Sequence, residues 1–473
     1  MALKGLLAII HRRAARPEDT VCGTATSNPR LFDTPSLNGA LMTSTFSPTP
    51  DDLISDAREA AARVLEITDL LGGSQLYGPM IPIVNPAAWE VGHVGWFFEK
   101  WTLRNLYAAA SMVDGADALY DSSVIPHDTR WNLTLPSWQA TRGYLTSVVE
   151  KALARVDGRE LTPEEVYFLR LSVLHTDMHA EALTYTRQTL GYPEPGFTTP
   201  FVRPEAPAGF DPHDVFIPGG TFQLGPAPGE EPFVFDNEKW GHEVKVSPFR
   251  MSATAVSNEE FLAFVEAGGY RDREVWSEIG WAWREATGAE RPIYWRRAAG
   301  GTWSLRRYDR EVPLAPKAAM IHVNWHEASA YCKWAGRRLP TEPEWELAAA
   351  GGLDGATKRR FPWGDEPPTP ERANLDFRGR GPVDVRALPD GDSRFGVRQM
   401  IGQAWEWTST DFAPYPGFAT DPYKEYSEPW FYNHKVLRGG AWSTRSRLIR
   451  NTWRNFYTPD RRDVMCGLRT CAL

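Results

Sequence analysis

Two histidines four residues apart are the strongest sign of chemistry in this sequence. His175 and His179 lie in an apolar helical run with the motif His175-Thr-Asp-Met-His179-Ala-Glu181. A spacing of four places both imidazoles on one face of a helix, where both rings can reach one cation at about 2.0 to 2.2 Å. The motif therefore predicts a metal site. Glu181 lies about 200° around the helix from His179, so it is predicted either to support the ligands from behind or to form a helix-packing salt bridge.

The best candidate for a third ligand is His93, in a second amphipathic segment, Trp89-Glu-Val-Gly-His93-Val-Gly-Trp96. Three neutral imidazoles on one side of a metal leave positions open for a substrate and dioxygen, which a catalytic site needs and a closed structural site does not. Imidazoles accept iron or zinc, so this ligand set leaves the metal open. The alternative is that His175 and His179 are helix histidines that bond core partners.

Composition favours small substrates over macromolecular partners. The chain has 473 residues, a formal net charge of -8 and a pI of about 5.8, with no long basic run. These values give no support to nucleic acid or an anionic membrane as a partner. The chain is also longer than one core usually fills, so two domains are expected.

The cysteines and the N-terminal segment bear on the location of the protein. Cys22, Cys332, Cys466 and Cys471 form neither a disulfide framework nor a Cys-x-x-Cys metal pattern, so a reducing cytoplasm is the expected location. The apolar stretch from residue 6 to residue 10 is too short for a signal peptide or a membrane span. The oligomeric state stays open between a monomer and a dimer.

Changes in composition and in the pattern of apolar residues along the chain predict the domain boundaries. Residues 1–45 are expected to form a disordered extension, with Met42 as an alternative start. Residues 46–191 predict a four-helix bundle with His93 on its second helix and the histidine pair on its fourth. The proline-rich residues 192–213 predict a linker. Residues 214–473 predict short strands, many turns and two helices, at 257–267 and 325–335.

The second half contains an ordered series of tryptophan motifs, Asn324-Trp325-His326-Glu327, Trp405-Glu406-Trp407-Thr408 and Arg438-Gly439-Gly440-Ala-Trp442. The series resembles the formylglycine-generating-enzyme-like domain, which has a C-type-lectin-like fold. Most of these tryptophans are expected to pack in the core, with ring N–H groups bonded to nearby carboxylates. The sulfatase-modifying members carry reactive cysteines in the segment that corresponds to residues 450–462. This chain has none there, so formylglycine formation is not expected.

The His-x-x-x-His-x-Glu motif in a DinB-like bundle, joined to this second domain, resembles the ergothioneine synthase group of non-haem iron enzymes. The resemblance implies an α+β multidomain fold, in which a DinB-like four-helix bundle precedes a C-type-lectin-like domain with little regular secondary structure. It also implies Fe(II) bound by His93, His175 and His179. The implied reaction uses dioxygen to join a chalcogen to the imidazole C2 carbon of hercynine, the trimethylbetaine of histidine.

The same resemblance assigns roles to residues of the second half. Tyr423 matches a tyrosine that donates a proton or an electron during the reaction, and a phenol can pass a proton without carrying a standing charge. Asn455 and Phe456 match contacts to hercynine's carboxylate and trimethylammonium, the latter by cation–π attraction. Arg461 matches a substrate-contacting arginine. The alternative for all four residues is structural packing or pairing.

This chain departs from the ergothioneine synthases at positions that contact their charged thiol substrate. Their arginine-rich loop is replaced by residues 123–130, which end in Arg130. Tyr457 stands in place of an aspartate, Met178 in place of a glutamine and Glu90 in place of a histidine. Fewer charged ligands indicate a neutral, hydroxyl-rich donor, and we predict that Arg130, Met178 and Tyr457 contact the substrates.

The motifs around His93, Arg130 and His179 are similar to those of the selenoneine synthase subgroup, which transfers selenium from a selenosugar, a 1-selenohexose, to hercynine. The expected reaction is therefore formation of a carbon–selenium bond. The second alternative is ergothioneine-type sulfoxide synthesis from γ-glutamylcysteine or cysteine. Two further classes stay open, a zinc-dependent DinB thiol transferase and a sugar-binding protein without catalysis.

Overall fold

The computed structural model describes residues 48–473, which pack as one compact unit. The predicted extension at residues 1–45 and the alternative start at Met42 lie outside the described residues. The boundaries at residues 192 and 213 stay predictions, and the segment between them forms no helix or strand. No helix in residues 48–473 is long and apolar enough to cross a membrane.

The first half is the predicted helical bundle. Its helices are α1 (Pro50–Ile67), α2 (Ala87–Phe98), α3 (Ala116–Tyr120), α4 (Trp138–Leu153) and α5 (Pro163–Leu190), and α2 continues as a π-helical segment, Glu99–Asn105. Thr49 and Thr162 begin α1 and α5 with capping boxes, followed in each case by proline in the first turn. Gly191 ends α5 in the left-handed conformation, at φ +67°. Local capping chemistry therefore sets the length of the helix that carries His175 and His179.

Helix α2 lies at the centre of this half. The sequence predicts an amphipathic helix here, but every residue from Ala87 to Phe98 is buried. A helix that is apolar on all sides is enclosed by its neighbours, and α2 packs against α4 and α5. His93 is consequently held in a dry environment.

The second half contains short strands and helices joined by turns. The helices are α6 (Asn258–Glu266), α7 (Glu278–Thr287), α8 (Trp325–Trp334) and α9 (Glu342–Ala350). The strands are β1 (Asp214–Ile217), β2 (Gly220–Leu224), β3 (His242–Val246), β4 (Phe249–Ser252), β5 (Trp295–Arg297), β6 (Trp303–Arg307), β7 (Arg310–Pro313), β8 (Arg337–Arg338), β9 (Trp405–Asp411), β10 (Lys435–Arg438), β11 (Asn455–Tyr457), β12 (Cys466–Gly467) and β13 (Cys471–Ala472). The predicted α+β fold class, a helical domain followed by a turn-rich domain, is confirmed.

One sheet of the second half presents residues to the bundle. Its strand order is β11-β10-β9-β12, with β12 parallel to β9 and the other pairs antiparallel. Edge strand β11 carries Asn455, Phe456 and Tyr457, and its pairing places Phe456 opposite Val436. The connection from β9 to β10 carries Tyr423. This sheet thus positions the strand predicted to contact substrates and the segment that carries the predicted proton donor, Tyr423.

Helix α5 is bonded to the second half through buried carboxylates. Trp405 Nε1 donates to Glu181 Oε1 over 2.6 Å, and Thr444 Oγ1 donates to Glu181 Oε2 over 2.6 Å. Neither role considered for Glu181 describes these contacts, because the carboxylate bonds neutral groups of the second half. The expected tryptophan packing is also visible at Trp345, whose ring N–H donates to Glu406 over 2.7 Å.

A buried ion pair joins the same helix to the second half. Asp177 is 3% exposed, and Arg447 donates to both of its carboxylate oxygens at 2.6 and 2.7 Å. Arg447 also reaches Asp56 and Glu59 on α1. The guanidinium therefore bonds both α1 and α5 from one loop of the second half.

Replacement of Arg447 by methionine tests the importance of this contact. We expect Arg447→Met to lower the free energy of unfolding by about 3 to 5 kcal/mol, because Asp177 would stay buried without its partner. Chemical denaturation would measure the change. The matched control is Arg58→Met, which breaks the exposed pair with Glu150 and should cost less than about 1 kcal/mol. Equal effects of the two substitutions would contradict the assignment.

Candidate metal centre

Helices α2 and α5 bring the three predicted ligands together. His93 comes from α2, and His175 and His179 come from successive turns of α5. One nitrogen from each ring lies within 4.8 Å of the others. Two nitrogens that bind one cation at about 2.0 to 2.2 Å lie at most about 4.4 Å apart, so small side-chain shifts would let a single cation contact all three.

Hydrogen bonds fix the orientation of two of these rings. His93 Nδ1 donates to the carbonyl oxygen of Tyr120 over 2.8 Å, and His179 Nδ1 donates to Glu90 Oε1 over 2.9 Å. A carbonyl or carboxylate oxygen only accepts, so Nδ1 carries the proton in both rings and Nε2 keeps its lone pair. The buried Nδ1 of His175 has no hydrogen-bond partner among the described residues.

Burial keeps the inner imidazoles neutral. The side chains of His93 and His175 are each 2% exposed. Desolvation lowers the pKa of His93 and of His175 well below the ordinary histidine value, and the neighbouring His179 lowers both further. A neutral imidazole is the form that binds metal, so the rings are ready to act as ligands at neutral pH.

Aromatic side chains hold the ligand rings in place. The Phe97 ring stacks on His175 at a centroid distance of 3.5 Å and an interplanar angle of 6°. Trp89 stacks on His93 at 5.0 Å and 9°. These contacts leave the imidazoles little rotational freedom, and a small reorganisation on binding favours metal affinity.

The donor set fits a catalytic metal better than a structural one. Within residues 48–473, the group that could hold a cation consists of these three histidines, with no cysteine or carboxylate among its members. Three protein ligands leave coordination positions for small molecules, whereas structural zinc sites use four. Iron and zinc both accept three imidazoles, so the geometry fits either metal.

Tyr423 lies beside the histidine cluster. Its ring centroid is 6.0 Å from that of His175 and 4.8 Å from that of Phe97. Burial raises the pKa of the Tyr423 phenol above its ordinary value, so the hydroxyl keeps its proton at neutral pH. A protonated phenol at this place could act as a proton donor.

Two carboxylates anchor the segment that carries Tyr423. Lys239 Nζ donates to both oxygens of Asp421 at 2.7 Å, and the Tyr167 hydroxyl donates to the same carboxylate over 3.0 Å. A few residues further on, Ser427 donates to Asp236. The position of the phenol is therefore set by contacts on both sides of it.

Tyr426, Phe456 and Met178 form a half-exposed aromatic wall, and Met178 is the residue before His179 on α5. Phe456 stacks on Phe412 at 4.0 Å, and the Tyr426 ring meets it edge-on at 5.7 Å. The Tyr426 hydroxyl lies 3.6 Å from Met178 Sδ, which joins this wall to α5. The structure thus brings Phe456 and Met178 together through Tyr426. Asn455 precedes Phe456 on β11, where successive side chains point to opposite faces, and its contact with a substrate stays a prediction.

Tyr457 and Arg461 form a second group of side chains, beside Tyr185 of α5. The Arg461 guanidinium lies 5.2 Å from the Tyr457 ring centroid and 5.8 Å from that of Tyr185. Arg461 donates two hydrogen bonds to Asp463, at 2.6 and 2.7 Å. The side chains of Tyr457 and Tyr185 also interact electrostatically. The charge of Arg461 is therefore paired with Asp463, and the rings of Tyr185 and Tyr457 flank the guanidinium.

Arg130 is placed differently from the other predicted contact residues. It is 9% exposed, and its guanidinium lies 4.0 Å from the Trp89 ring centroid. It donates to Asn85 Oδ1 over 2.7 Å and to the carbonyl of Ile125 over 3.3 Å. These protein partners occupy the guanidinium, and its contact with a substrate stays a prediction.

Two residues of the site make contacts that the sequence did not predict. Glu90 entered that prediction as a departure from relatives, yet it bonds a proposed metal ligand; its spacing of three from His93 on α2 was the available signal. Tyr185 contacts Tyr457, and it lies seven residues after Met178 on the same face of α5.

Comparisons with known proteins agree with this arrangement. Residues 57–182 match the DinB superfamily, and residues 202–472 match the sulfatase-modifying factor enzyme 1-like domain. The chain is 35% identical to the hercynine oxygenase of Mycolicibacterium smegmatis over 427 residues, which covers 88% of this chain and 97% of the relative. It is 33% identical to the hercynine oxygenase of Mycobacterium tuberculosis over 426 residues, which covers 89% and 98%. A formylglycine-generating enzyme of Streptomyces coelicolor is 34% identical over 59% of this chain and 92% of its own.

Removal of one imidazole tests the metal centre directly. We expect His175→Ala to weaken binding of Fe(II) or Zn(II) more than about 100-fold, because loss of a direct ligand exceeds the 10- to 100-fold effect of losing an outer partner. Anaerobic titration against a competing chelator would measure the affinity. The control, His213→Ala, removes an exposed histidine and should leave the metal affinity unchanged. Unchanged binding by His175→Ala would rule out the three-histidine site.

Proposed function

The chain belongs to the hercynine oxygenase family and is thus an oxidoreductase, and we propose that it joins selenium from a selenosugar to hercynine. In this proposal the donor is a 1-selenohexose, and the new bond links its selenium to the imidazole C2 carbon. The reaction depends on Fe(II) and dioxygen. Hercynine C2–H, the selenol Se–H and one O2 give the C–Se selenoxide and one water, so one O2 accepts the four electrons.

The aromatic wall supports binding of hercynine. Hercynine carries a trimethylammonium group, which cannot donate a hydrogen bond but is attracted to the face of an aromatic ring. Phe456 and Tyr426 are half-exposed and offer such rings, and Tyr426 contacts Tyr423 and Met178 near the histidine cluster. The amide of Asn455 on the same strand suits a carboxylate. Aromatic rings would thus bind the fixed positive charge of hercynine, and no protein carboxylate is needed for it.

The observation that carries the choice of donor is the state of Arg461. A thiol such as γ-glutamylcysteine carries carboxylates and an amine, and its recognition favours a free arginine and a free acid. Arg461 is already paired with Asp463 through two hydrogen bonds and is flanked by Tyr185 and Tyr457. Phenol hydroxyls both donate and accept hydrogen bonds, which suits sugar hydroxyls. The pairing of Arg461 therefore supports a neutral donor.

The roles of the chain's own residues follow from their positions. When bound, Fe(II) would be held by His93, His175 and His179 and would supply a common binding centre for both substrates and one-electron chemistry with dioxygen. Tyr423 holds a proton on its hydroxyl next to this centre and would donate it during the reaction. The stacked rings of Phe97 and Trp89 keep the ligands oriented.

A sulfur donor is the second candidate, and family membership favours it. The Mycolicibacterium smegmatis and Mycobacterium tuberculosis relatives are both named hercynine oxygenase. Selection of γ-glutamylcysteine or cysteine would need a recognition mode that does not use a free Arg461.

A competition assay distinguishes the two donors. Fe(II)-loaded protein is given hercynine, dioxygen, a 1-selenohexose and γ-glutamylcysteine together, and mass spectrometry identifies the products. We expect selenium attached to hercynine, with little sulfoxide. A γ-glutamylcysteine sulfoxide adduct as the main product would overturn the selenium assignment. Absence of dioxygen consumption with every donor would overturn the oxidoreductase assignment and favour a zinc-dependent transferase or a binding protein.

Substitution of Tyr457 tests its proposed contact with the donor substrate. Tyr457→Phe keeps a ring beside Arg461 and removes the hydroxyl, so we expect the KM for the selenosugar to rise about 2- to 10-fold, as loss of one hydrogen bond predicts. Tyr457→Asp introduces an acid that can bind an amine, and we expect it to increase the relative use of γ-glutamylcysteine. The KM for hercynine serves as the internal control and should stay constant. Unchanged donor preference in both variants would contradict a role for Tyr457.

A further inference from the structure

The three histidines differ in what supports them from behind. His93 Nδ1 bonds a backbone carbonyl, His175 Nδ1 has no hydrogen-bond partner among the described residues, and His179 Nδ1 bonds the carboxylate of Glu90. A carbonyl fixes ring orientation, whereas a carboxylate also brings a full negative charge. His179 is thus placed to be the most electron-rich of the three ligands.

Glu90 is an unusual residue at this place. It is 1% exposed in the middle of the apolar helix α2, where an ionised group is costly unless it is paired. Within the described part of the chain, the bond to His179 is the hydrogen bond that its side chain makes. This carboxylate therefore meets its pairing requirement through a proposed metal ligand.

A nearby cation makes the buried carboxylate tolerable. Arg130 lies against Trp89, the residue before Glu90, and is itself buried. Burial lowers the pKa of Arg130, and attraction to Glu90 partly opposes that effect. The two opposite charges compensate each other in the same buried region.

We infer that Glu90 is a positioning residue that holds His179 with its proton on Nδ1 and places a negative charge behind this one ligand. The inference rests on the proposed three-histidine centre and is independent of the donor. A histidine bonded to a carboxylate is a more basic ligand than one bonded to a neutral acceptor, so it binds the metal more tightly. The added charge also favours the more positive of two oxidation states, so it should lower the reduction potential of bound iron.

Three measurements on two variants test this role. Glu90→Ala removes both the acceptor and the charge, and we expect metal affinity to fall about 10- to 100-fold. Glu90→Gln keeps an oxygen acceptor but no charge, so its loss of affinity should be smaller. Affinity is measured by chelator competition with Zn(II) and, under anaerobic conditions, with Fe(II). A redox titration should give a higher Fe(III)/Fe(II) potential for both variants, by about 59 mV for each tenfold change in the ratio of the two affinities.

The matched control is Glu99→Gln. Glu99 is fully buried in the segment that continues α2, but it accepts hydrogen bonds from Tyr144 and the backbone of Met112 rather than from a histidine. It should leave the affinity and the potential unchanged, and thermal unfolding would verify that each variant is folded. If Glu90→Gln is folded but has the wild-type affinity and potential, the inference is wrong. No hercynine or selenium is needed, so failure here is distinguishable from failure of the proposed reaction.

Discussion

The arrangement of the site depends on the buried hydrogen bonds that join helix α5 to the second half of the chain. Glu181 accepts from Trp405 and Thr444, and Asp177 pairs with Arg447. His175 and His179 occupy the same two turns of this helix. Because the carboxylates fix the helix against the second half, they also fix where the histidines lie relative to Tyr423 and β11. The proposed metal ligands and the aromatic wall come from different halves, so the contact between the halves determines how precisely they are placed relative to each other.

The second constraint is the protonation state of the ligands. Three imidazoles within 4.8 Å of one another cannot all be charged, and burial already lowers the pKa of His93 and His175. The same burial would be unfavourable for a metal cation without counter-charge. Glu90 supplies one negative charge at a distance that does not use a coordination position. Neutral ligands with an outer carboxylate therefore reconcile a dry site with positions left open for substrates.

The sequence was sufficient for features that local chemistry determines. A spacing of four predicted that His175 and His179 share one face of a helix, and α5 carries both. Helix α9 was missed, although Thr341 and Glu344 form a capping box, because its short apolar run has no clear helical period. The partners of Glu181 and Glu90, and the contact between Tyr185 and Tyr457, could not be predicted. They join residues 89 to 272 positions apart, and one sequence gives no signal for such pairs.

Charge pairing also offers a physical reason why this fold would accept the proposed selenosugar in place of a charged thiol. Recognition of a charged thiol needs protein charges that are free before binding, and a buried free charge is costly in the empty site. In this chain the charges near the cluster are already engaged, Arg461 with Asp463 and Glu90 with His179. The aromatic wall offers rings that suit a fixed cation, and the phenols beside Arg461 offer hydroxyls that suit neutral sugar hydroxyls. Neither kind of contact carries a large desolvation cost. A change of donor would then follow from pairing an arginine internally, with the metal ligands and the fold left as they are.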